Sequence, residues 1–302
     1  MSKYSLHILL LMAILLLMSC RRHRSYEDDN LHIDTASTVE EIQDSSIIKV
    51  PLTGLEIPAI NDDAVPGQIL KREAYTTCYN HDTRCPNWVA WALTREKAQG
   101  TTEKKIWYDD NGNAIGISNF TDDMVRGGYI YDAEADEPRP ELKDWIDRPE
   151  NMSHGHMCPA MDCKISPAAM TQSFLLTNLC VQADNLNQGS WRQLEIKCHD
   201  LAIKCGCLYI VAGPVFHNGQ PSAYMGKSRI AIPDAFYKVV LCMEGPPKAI
   251  GFVYANTNDK HNMQDAVRTV DQIEELTGID FFPKLSDDVE NEIESHANLN
   301  DW

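Results

Sequence analysis

The residues of this chain best suited to chemistry lie in one central stretch. His154 and His156 stand on either side of a glycine, and Asn178, Asn187 and Glu195 follow further along the chain. Histidine accepts a proton near neutral pH, whereas asparagine and glutamate supply a neutral and an anionic oxygen ligand. This combination predicts a hydrolase in which a general base works beside a hard divalent cation.

Two of these residues are expected to share one helix. The segment 186–201 is predicted to be helical, because its apolar residues can form a stripe at helical spacing. Asn187, Trp191 and Glu195 are successive i, i+4 neighbours, so Asn187 and Glu195 can project along one side of that helix. Asparagine is also a favoured N-cap residue, so a capping role for Asn187 stands beside the ligand role.

Six short pieces of this stretch together resemble one known family, the DNA/RNA non-specific endonucleases of the ββα-metal (His-Me finger) fold. That family carries Asp-Arg-Gly-His, a Pro-Ala and an Asp, then Ser-Asn-x-x-Pro-Gln, Leu-Asn-x-Gly-x-Trp and Leu-Glu. The matching pieces are Ser153-His154-Gly155-His156, Pro159-Ala160, Asp162, Thr177-Asn178-Leu179-Cys180-Val181-Gln182, Leu186-Asn187-Gln188-Gly189-Ser190-Trp191 and Leu194-Glu195. Six pieces in the expected order are far more specific than any one of them, and the resemblance covers about residues 70–285.

The resemblance implies an α+β fold, with a mixed β-sheet core and a ββα-metal finger. It also implies hydrolysis of phosphodiester bonds in DNA and RNA with Mg²⁺ as cofactor, or another divalent cation such as Mn²⁺. His156 matches the general base, Asn187 the magnesium ligand and Glu195 the acid that orients metal-bound water. Asn178 matches an active-site asparagine, and Lys105 is nearest to an arginine that grips the scissile phosphate, although a solvated surface lysine fits that position equally well.

Two positions depart from the family pattern. Ser153-His154 replaces the usual Asp-Arg, and Val181 replaces a proline. Loss of the arginine removes a bidentate phosphate donor, which His154 can replace only weakly, or as a cation at lower pH. His154 is therefore predicted to be an active-site residue, and activity is expected to be retained in altered form.

The net charge of −17 argues against a polyanionic substrate, since nucleic-acid binding usually draws on a basic surface. The acidity is uneven, however, because residues 73–270 carry 19 Lys/Arg and 24 Asp/Glu. Three function classes follow: a metal-dependent nuclease, a catalytically degenerate nucleic-acid-binding protein of the same fold, and a zinc-stabilised surface domain. The retained base, ligand and acid favour the first class.

The beginning of the chain predicts export. Lys3 precedes the apolar run Ile8–Met18, which is too short to span a bilayer comfortably and is typical of a signal peptide. The end of that run, Leu17-Met18-Ser19-Cys20, resembles a bacterial lipobox. Lipidation of Cys20 is therefore predicted to anchor the protein in the bacterial cell envelope, with a plain signal peptide as the alternative.

The domain organisation follows from composition. Residues 1–20 are predicted to be the signal peptide and residues 21–69 a polar tether with little to bury. Residues 70–285 form the predicted catalytic domain, and residues 286–302 an acidic tail.

Ten cysteines are more than a reduced intracellular enzyme needs, and in an exported protein they predict disulfides. Cys78 and Cys85, across a predicted hairpin, are the one expected pair. A zinc site is the alternative use of the remaining thiols, although the spacing lacks paired C-x2-C knuckles. Its candidate ligands are Cys158, Cys163, Cys198, His199, Cys205, Cys207 and His154.

Several strands are predicted from runs of β-branched and aromatic residues bounded by turn residues. They are residues 73–79, 85–93, 208–216, 230–241 and 249–255, followed by a short helix stopped by Gly278 and a final strand. Trp88, Val89 and Trp91 are predicted to be core residues.

Overall fold

A computed structural model describes residues 53–60, 66–103, 107–108, 114–116 and 129–302, all of which belong to one compact unit, Val50–Trp302. The signal peptide with Cys20, most of the predicted tether, and Lys105 lie outside the described residues. Within the described ranges, no helix is both long enough and apolar enough to cross a membrane.

The strands form one seven-stranded sheet and three two-stranded sheets. In chain order they are β1 (Gln68–Lys71), β2 (Thr76–Asn80), β3 (Cys85–Thr94), β4 (Trp107–Tyr108), β5 (Ala114–Gly116), β6 (Met152–His156), β7 (Leu179–Ala183), β8 (Cys207–Val215), β9 (Ala223–Met225), β10 (Ile230–Ile232), β11 (Ala235–Cys242), β12 (Lys248–Ala255) and β13 (Val267–Arg268). The large sheet has the order β1-β2-β3-β8-β11-β12-β13, and its described strand pairs are antiparallel.

The helices lie between and after these strands. The α-helices are α1 (Arg95–Ala98), α2 (Leu142–Ile146), α3 (Pro167–Gln172), α4 (Arg192–Cys205), α5 (Met263–Ala266), α6 (Val270–Thr277) and α7 (Asp287–Glu294). Helices thus accompany a large antiparallel sheet, and the predicted α+β class is confirmed.

Both faces of the large sheet are covered, which explains why β8 and β11 are almost continuously buried rather than alternating. Successive strand residues point to opposite faces. On β8, Ile210 joins the core that contains Trp191 and Leu194 of the finger region, whereas Val211 joins the core that contains Ile273 of α6. The finger and the C-terminal helices therefore pack on opposite faces of the sheet.

Most predicted elements are found, with two corrections. The predicted strand 230–241 is divided into β10 and β11 around Pro233, because proline has no N–H to donate to a strand ladder. Helix α6 ends at Gly278, as predicted, with a φ of 70°. The final strand expected after it is absent from the described chain, where Phe281 and Phe282 are instead buried in an irregular segment.

The predicted Cys78–Cys85 disulfide is wrong, because neither cysteine forms a disulfide in the structure. Cys78 pairs with Trp88 across the hairpin, whereas Cys85 pairs with Asn80. The side chains enter the cores on opposite faces of the sheet, so they cannot meet. Two other thiols do meet, since the Sγ atoms of Cys158 and Cys163 are 3.6 Å apart.

Candidate active site

The ββα finger is built from β6, β7 and the helical segment that follows. β6 and β7 are antiparallel, with His156 opposite Leu179 and Gly155 opposite Cys180. A Cβ atom at position 155 would come within 2.6 Å of the Gln182 Cβ atom, so the glycine between the two histidines is needed for packing. The finger predicted from the sequence is confirmed.

The helical segment begins with a wide turn that the sequence did not predict. Leu186–Trp191 is a π-helix, and it continues directly into α4. π-Helical turns are rare in proteins, and those that occur inside helices are often located at functional sites. The N-cap position is Asn185, so Asn187 does not cap this helix and the capping alternative is not supported.

Three of the predicted residues converge on one cleft of about 600 Å³. His156 reaches it from the end of β6, Asn187 from the π turn and Glu195 from the first part of α4. The remaining lining residues are Pro159, Ala160, Met161, Gln188, Arg192 and Ile196. The cleft therefore brings an imidazole, a side-chain amide and a carboxyl group together.

The main chain at His156 is tied to the helix that carries the other two residues. The indole Nε1 of Trp191 donates a hydrogen bond to the His156 carbonyl oxygen at 3.2 Å. The imidazole meets the edge of the Phe174 ring, with the ring centroids 5.1 Å apart. Buried Trp191, midway between Asn187 and Glu195, thus fixes the relation between the strand and the helix.

Two charged groups near Glu195, Lys238 and Asp162, shift the pKa of its carboxyl group in opposite directions. Burial raises the pKa of Glu195 to about 7, the Lys238 ammonium lowers it, and the Asp162 carboxylate raises it. Lys238 is only 1 % exposed, and its Nζ atom lies 4.4 Å from the centroid of the Trp191 ring. A buried cation therefore stabilises the charged form of Glu195 from below the cleft.

Asp162 anchors the same region from the loop after His156. Its carboxylate accepts a hydrogen bond from Trp91 Nε1 at 3.1 Å and contacts His199 Nδ1 at 3.1 Å. The hydrogen bond to Asp162 raises the pKa of His199. The Asp of the family pattern is thus a buried structural partner of the sheet and of α4.

Asn178 is fully buried and holds the loop that follows His156. Its side-chain oxygen accepts from the Cys158 N–H at 3.0 Å, and its amide nitrogen donates to the carbonyl oxygens of Cys158 and Ser173 at 2.9 and 2.8 Å. Because these bonds commit the side chain to the backbone, the geometry makes Asn178 a positioning residue rather than a group in the cleft.

His154 also differs from the prediction. Its ring is stacked between Tyr129 and Trp145, with centroid distances of 3.9 and 5.0 Å, and the residue is 8 % exposed. Burial, followed by the positive charge of Arg148, lowers the pKa of His154 to about 3. A neutral histidine inside an aromatic stack does not line the cleft, so the geometry does not support a phosphate-binding role.

Two residues near the cleft were missed by the sequence analysis. Arg192 is exposed and lines the cleft three residues before Glu195, so it offers the cation that Ser153-His154 lacks. Lys238 has no feature in the sequence that distinguishes it from other strand residues. Only the tertiary structure brings it close to Glu195. The helical spacing of Arg192 relative to Glu195 was the one available signal.

The predicted zinc site is not assembled. Among the described residues, no three of its candidate ligands place their donor atoms within 4.8 Å of one another. His199 is instead engaged by Asp162. Zinc is therefore not supported as the basis of the fold in the part of the chain that the structure describes.

Comparison with known proteins agrees with the finger geometry. The family model described as DNA/RNA non-specific endonuclease matches residues 60–288. A nuclease from Nostoc sp. is 28 % identical over 239 residues, covering 75 % of this chain and 77 % of that protein. Human mitochondrial nuclease EXOG is 26 % identical over 259 residues, covering 78 % of this chain and 59 % of that protein.

A similar fold is found among solved structures. The structure of EndoG in its complex with EndoGI aligns with a TM-score of 0.56 at 18 % identity, covering 76 % of this chain and 89 % of that chain. The matched region spans less than two thirds of the length of the EXOG relatives and 77 % of the length of the Nostoc nuclease.

Proposed function

Because this chain belongs to the DNA/RNA non-specific endonuclease family, a family of metal-dependent hydrolases that act on nucleic acids, we propose that it cleaves phosphodiester bonds within DNA and RNA. The observation that best supports this function is the convergence of His156, Asn187 and Glu195 on one cleft. The three side chains come from β6, the π turn and α4, so the fold must form before the site exists.

The donor groups at the cleft fit Mg²⁺, with Mn²⁺ as the alternative. The Asn187 side chain makes no hydrogen bond to any other described residue and faces the cleft, so its oxygen is available to a cation. Asn187 would hold the metal, since Mg²⁺ dehydrates reluctantly and needs few protein ligands when a substrate phosphate completes its shell. The bound metal would neutralise charge on the phosphate and on the departing 3′-oxygen.

The residues of the chain supply the proton transfer and the alignment. His156 accepts the proton of the attacking water, since histidine suits general-base work near neutral pH. The carboxylate of Glu195 orients water at the inner side of the cleft, and Arg192 offers a charged donor to the phosphate at its rim. Attack on phosphorus with departure of the 3′-oxygen leaves 5′-phosphate and 3′-hydroxyl ends.

The distribution of charge is compatible with a polyanionic substrate despite the net charge of −17. The helices α6 and α7 carry a large share of the excess acid and pack on the sheet face opposite the finger. Arg192 lines the cleft itself. Nucleic acid can therefore approach the finger without meeting the most acidic surface.

Circular substrates test the proposed function. Circular single-stranded DNA and circular RNA have no ends, so only an endonuclease converts them to linear products. We expect cleavage of both circles in Mg²⁺ and none in EDTA. Retarded migration of intact circles on a native gel, without cleavage in Mg²⁺ or Mn²⁺, would instead establish the catalytically degenerate binding protein that the Ser153-His154 replacement favours.

Lys238→Met is expected to move the acid limb of the pH–rate profile to higher pH. Removing the buried ammonium raises the pKa of Glu195 further, so the carboxylate becomes protonated at a higher pH and activity falls at neutral pH. The shift should be about one pH unit, the usual effect of one nearby opposite charge. The profile is measured for wild type, Lys238→Met and the charge-retaining Lys238→Arg, and coincident acid limbs for wild type and Lys238→Met would remove Lys238 from this role.

We also propose that the protein is an exported lipoprotein of the bacterial cell envelope, anchored through Cys20. The proposal rests on the Leu17-Met18-Ser19-Cys20 sequence at the end of the apolar run. Cys20→Ala should release the protein from the membrane, because one lipid-modified residue provides the anchor. Detergent-phase partitioning of both forms measures this, and equal recovery of both in the aqueous phase would refute lipidation.

A further inference from the structure

A second group of oxygen ligands lies on the sheet face opposite the cleft. Asp271 and Glu274 come from α6, and Glu294 comes from the last turn of α7. One carboxylate oxygen of each residue lies within 4.8 Å of the others. Residues three apart on a helix share a side, so Asp271 and Glu274 face α7 together.

The carboxylate of Glu294 is the unusual member of the group. The residue is 4 % exposed, and its buried Oε1 atom has no hydrogen-bond partner. A buried acceptor without a partner is costly, and a buried charge is costlier still. The fold therefore buries an unsatisfied carboxyl oxygen of Glu294, a residue that lies beside the other two acids.

The surroundings of Glu294 add negative charge and no described positive charge. Burial raises the pKa of Glu294 to about 9, and the carboxylates of Glu274, Glu290, Asp271 and Asp280 raise it in the same direction. Among the described residues, no lysine or arginine nitrogen lies within 4.0 Å of these acids. The location at the C-terminal end of α7 also disfavours an anion.

The other two acids show how a cation could reach the group. Asp271 is exposed and Glu274 is half-buried, so one side of the group is open to solvent. Glu274 Oε1 also accepts a hydrogen bond from the Phe281 N–H at 2.7 Å, which fixes that side chain. The group thus has one buried, one fixed and one exposed carboxylate.

We propose that Asp271, Glu274 and Glu294 form a Ca²⁺ site that joins α6 to α7 and is separate from the catalytic cleft. Ca²⁺ accepts six to eight oxygen ligands in flexible geometry, and oxygens on its opposite sides are about 4.6–5.2 Å apart. Mg²⁺ fits less well, because it demands a nearly ideal octahedron and retains its waters. Solvent on the Asp271 side completes the coordination shell.

The site has a structural consequence. Ile273 of α6 and Ile293 of α7 are both buried against the sheet, so the two helices already share one core. A cation bound between their acidic edges favours the ionised carboxylates and coordinates them. The cation therefore stabilises the C-terminal helix pair, and binding raises the thermal stability of the folded protein.

The experiment compares melting temperatures in EDTA and in about 10 mM Ca²⁺, a concentration above the dissociation constants of weak extracellular sites. Five purified proteins are needed: wild type, Glu294→Gln, the control Glu292→Gln, Asn187→Ala, and the double variant Asn187→Ala with Glu294→Gln. Glu292 is an exposed acid on the same helix, so it matches the charge change without touching the site. Asn187→Ala removes Ca²⁺ binding in the catalytic cleft from consideration.

We expect Ca²⁺ to raise the melting temperatures of wild type, Glu292→Gln and Asn187→Ala by about 2–4 °C, the usual response of a domain of this size to a modest stabilisation. Glu294→Gln should show no such rise, and in EDTA it should melt close to wild type, because glutamine replaces a carboxyl group whose raised pKa keeps it protonated at neutral pH. Titration calorimetry with Ca²⁺ should show one site in Asn187→Ala and none in Asn187→Ala with Glu294→Gln. An equal Ca²⁺ response in wild type and Glu294→Gln, or none in wild type, would overturn the site whatever the nuclease assays show.

Discussion

His156→Ala is expected to reduce Mg²⁺-dependent cleavage of plasmid DNA by about 10²–10⁴-fold, the usual contribution of a general base. The substitution removes the imidazole, the proposed proton acceptor, from the cleft but leaves the backbone carbonyl at position 156, which accepts the Trp191 hydrogen bond. The folded structure should therefore survive, and the loss should appear in the rate constant rather than in substrate binding. Initial rates under single-turnover conditions measure it.

The control for this variant is His217→Ala. His217 is exposed and does not line the cleft, so its replacement should leave the rate unaltered. Added imidazole should partly restore cleavage by His156→Ala, because a free base can occupy the space that the side chain leaves. A near-normal rate for His156→Ala at neutral pH would remove His156 from the chemistry.

Asn187→Ala is expected to lose most activity at limiting Mg²⁺ and to recover part of it at high Mg²⁺. The metal requirement should rise by about 10- to 100-fold or more, because loss of a ligand costs at least as much as loss of a group that only orients one. Asn187→Asp should also shift the dependence of the cleavage rate on Mg²⁺ concentration, because the added negative charge changes the electric field at the scissile phosphate. Cleavage rate against Mg²⁺ concentration for the three proteins measures both effects.

The matched control is Gln188→Ala, which alters the next residue of the same π turn and also lines the cleft. Its metal dependence should follow that of wild type. All four proteins should melt at similar temperatures, because Asn187 does not cap the helix. Superimposable Mg²⁺ curves for wild type and both Asn187 variants would exclude Asn187 as the metal ligand.

The finger was predictable because its signals are local. His156 lies at the end of β6, and Asn187 and Glu195 follow in one continuous helical segment. Their separation of eight residues is visible in the sequence and is typical of two residues on one side of a helix. The buried strands β8 and β11 were also visible as apolar runs. Tertiary packing then needed only to bring these elements together, and the family resemblance supplied that arrangement.

Other features depend on contacts that spacing does not encode. The π turn at Leu186–Trp191 has the composition of an ordinary helix, and its extra residue per turn is set by packing. Asn178 reaches the backbone of Cys158 and Ser173, which no periodicity indicates. Lys238 lies beneath Glu195 only because β11 passes under α4.

The Cys78–Cys85 disulfide prediction failed because the sequence does not reveal the register of the strands. The ladder shifts between Cys78 and Tyr79, and Cys78 then faces the core on one side of the sheet while Cys85 faces the other. Proximity along a predicted hairpin does not specify which face a side chain occupies, since one residue of shift reverses it. The acidic C-terminal segment was likewise predicted to be a tail, whereas residues 287–294 form α7 with Ile293 buried.

The most direct test of a metal-dependent endonuclease site in the finger is the nicking rate of supercoiled plasmid by EDTA-treated wild-type protein as Mg²⁺ is restored. A supercoiled circle reports a single internal cut, so the assay detects endonuclease activity at its first step. We predict no nicking in EDTA and a saturable rise of the rate with Mg²⁺. An equal rate in EDTA, or no nicking at any concentration of Mg²⁺ or Mn²⁺, would contradict the account.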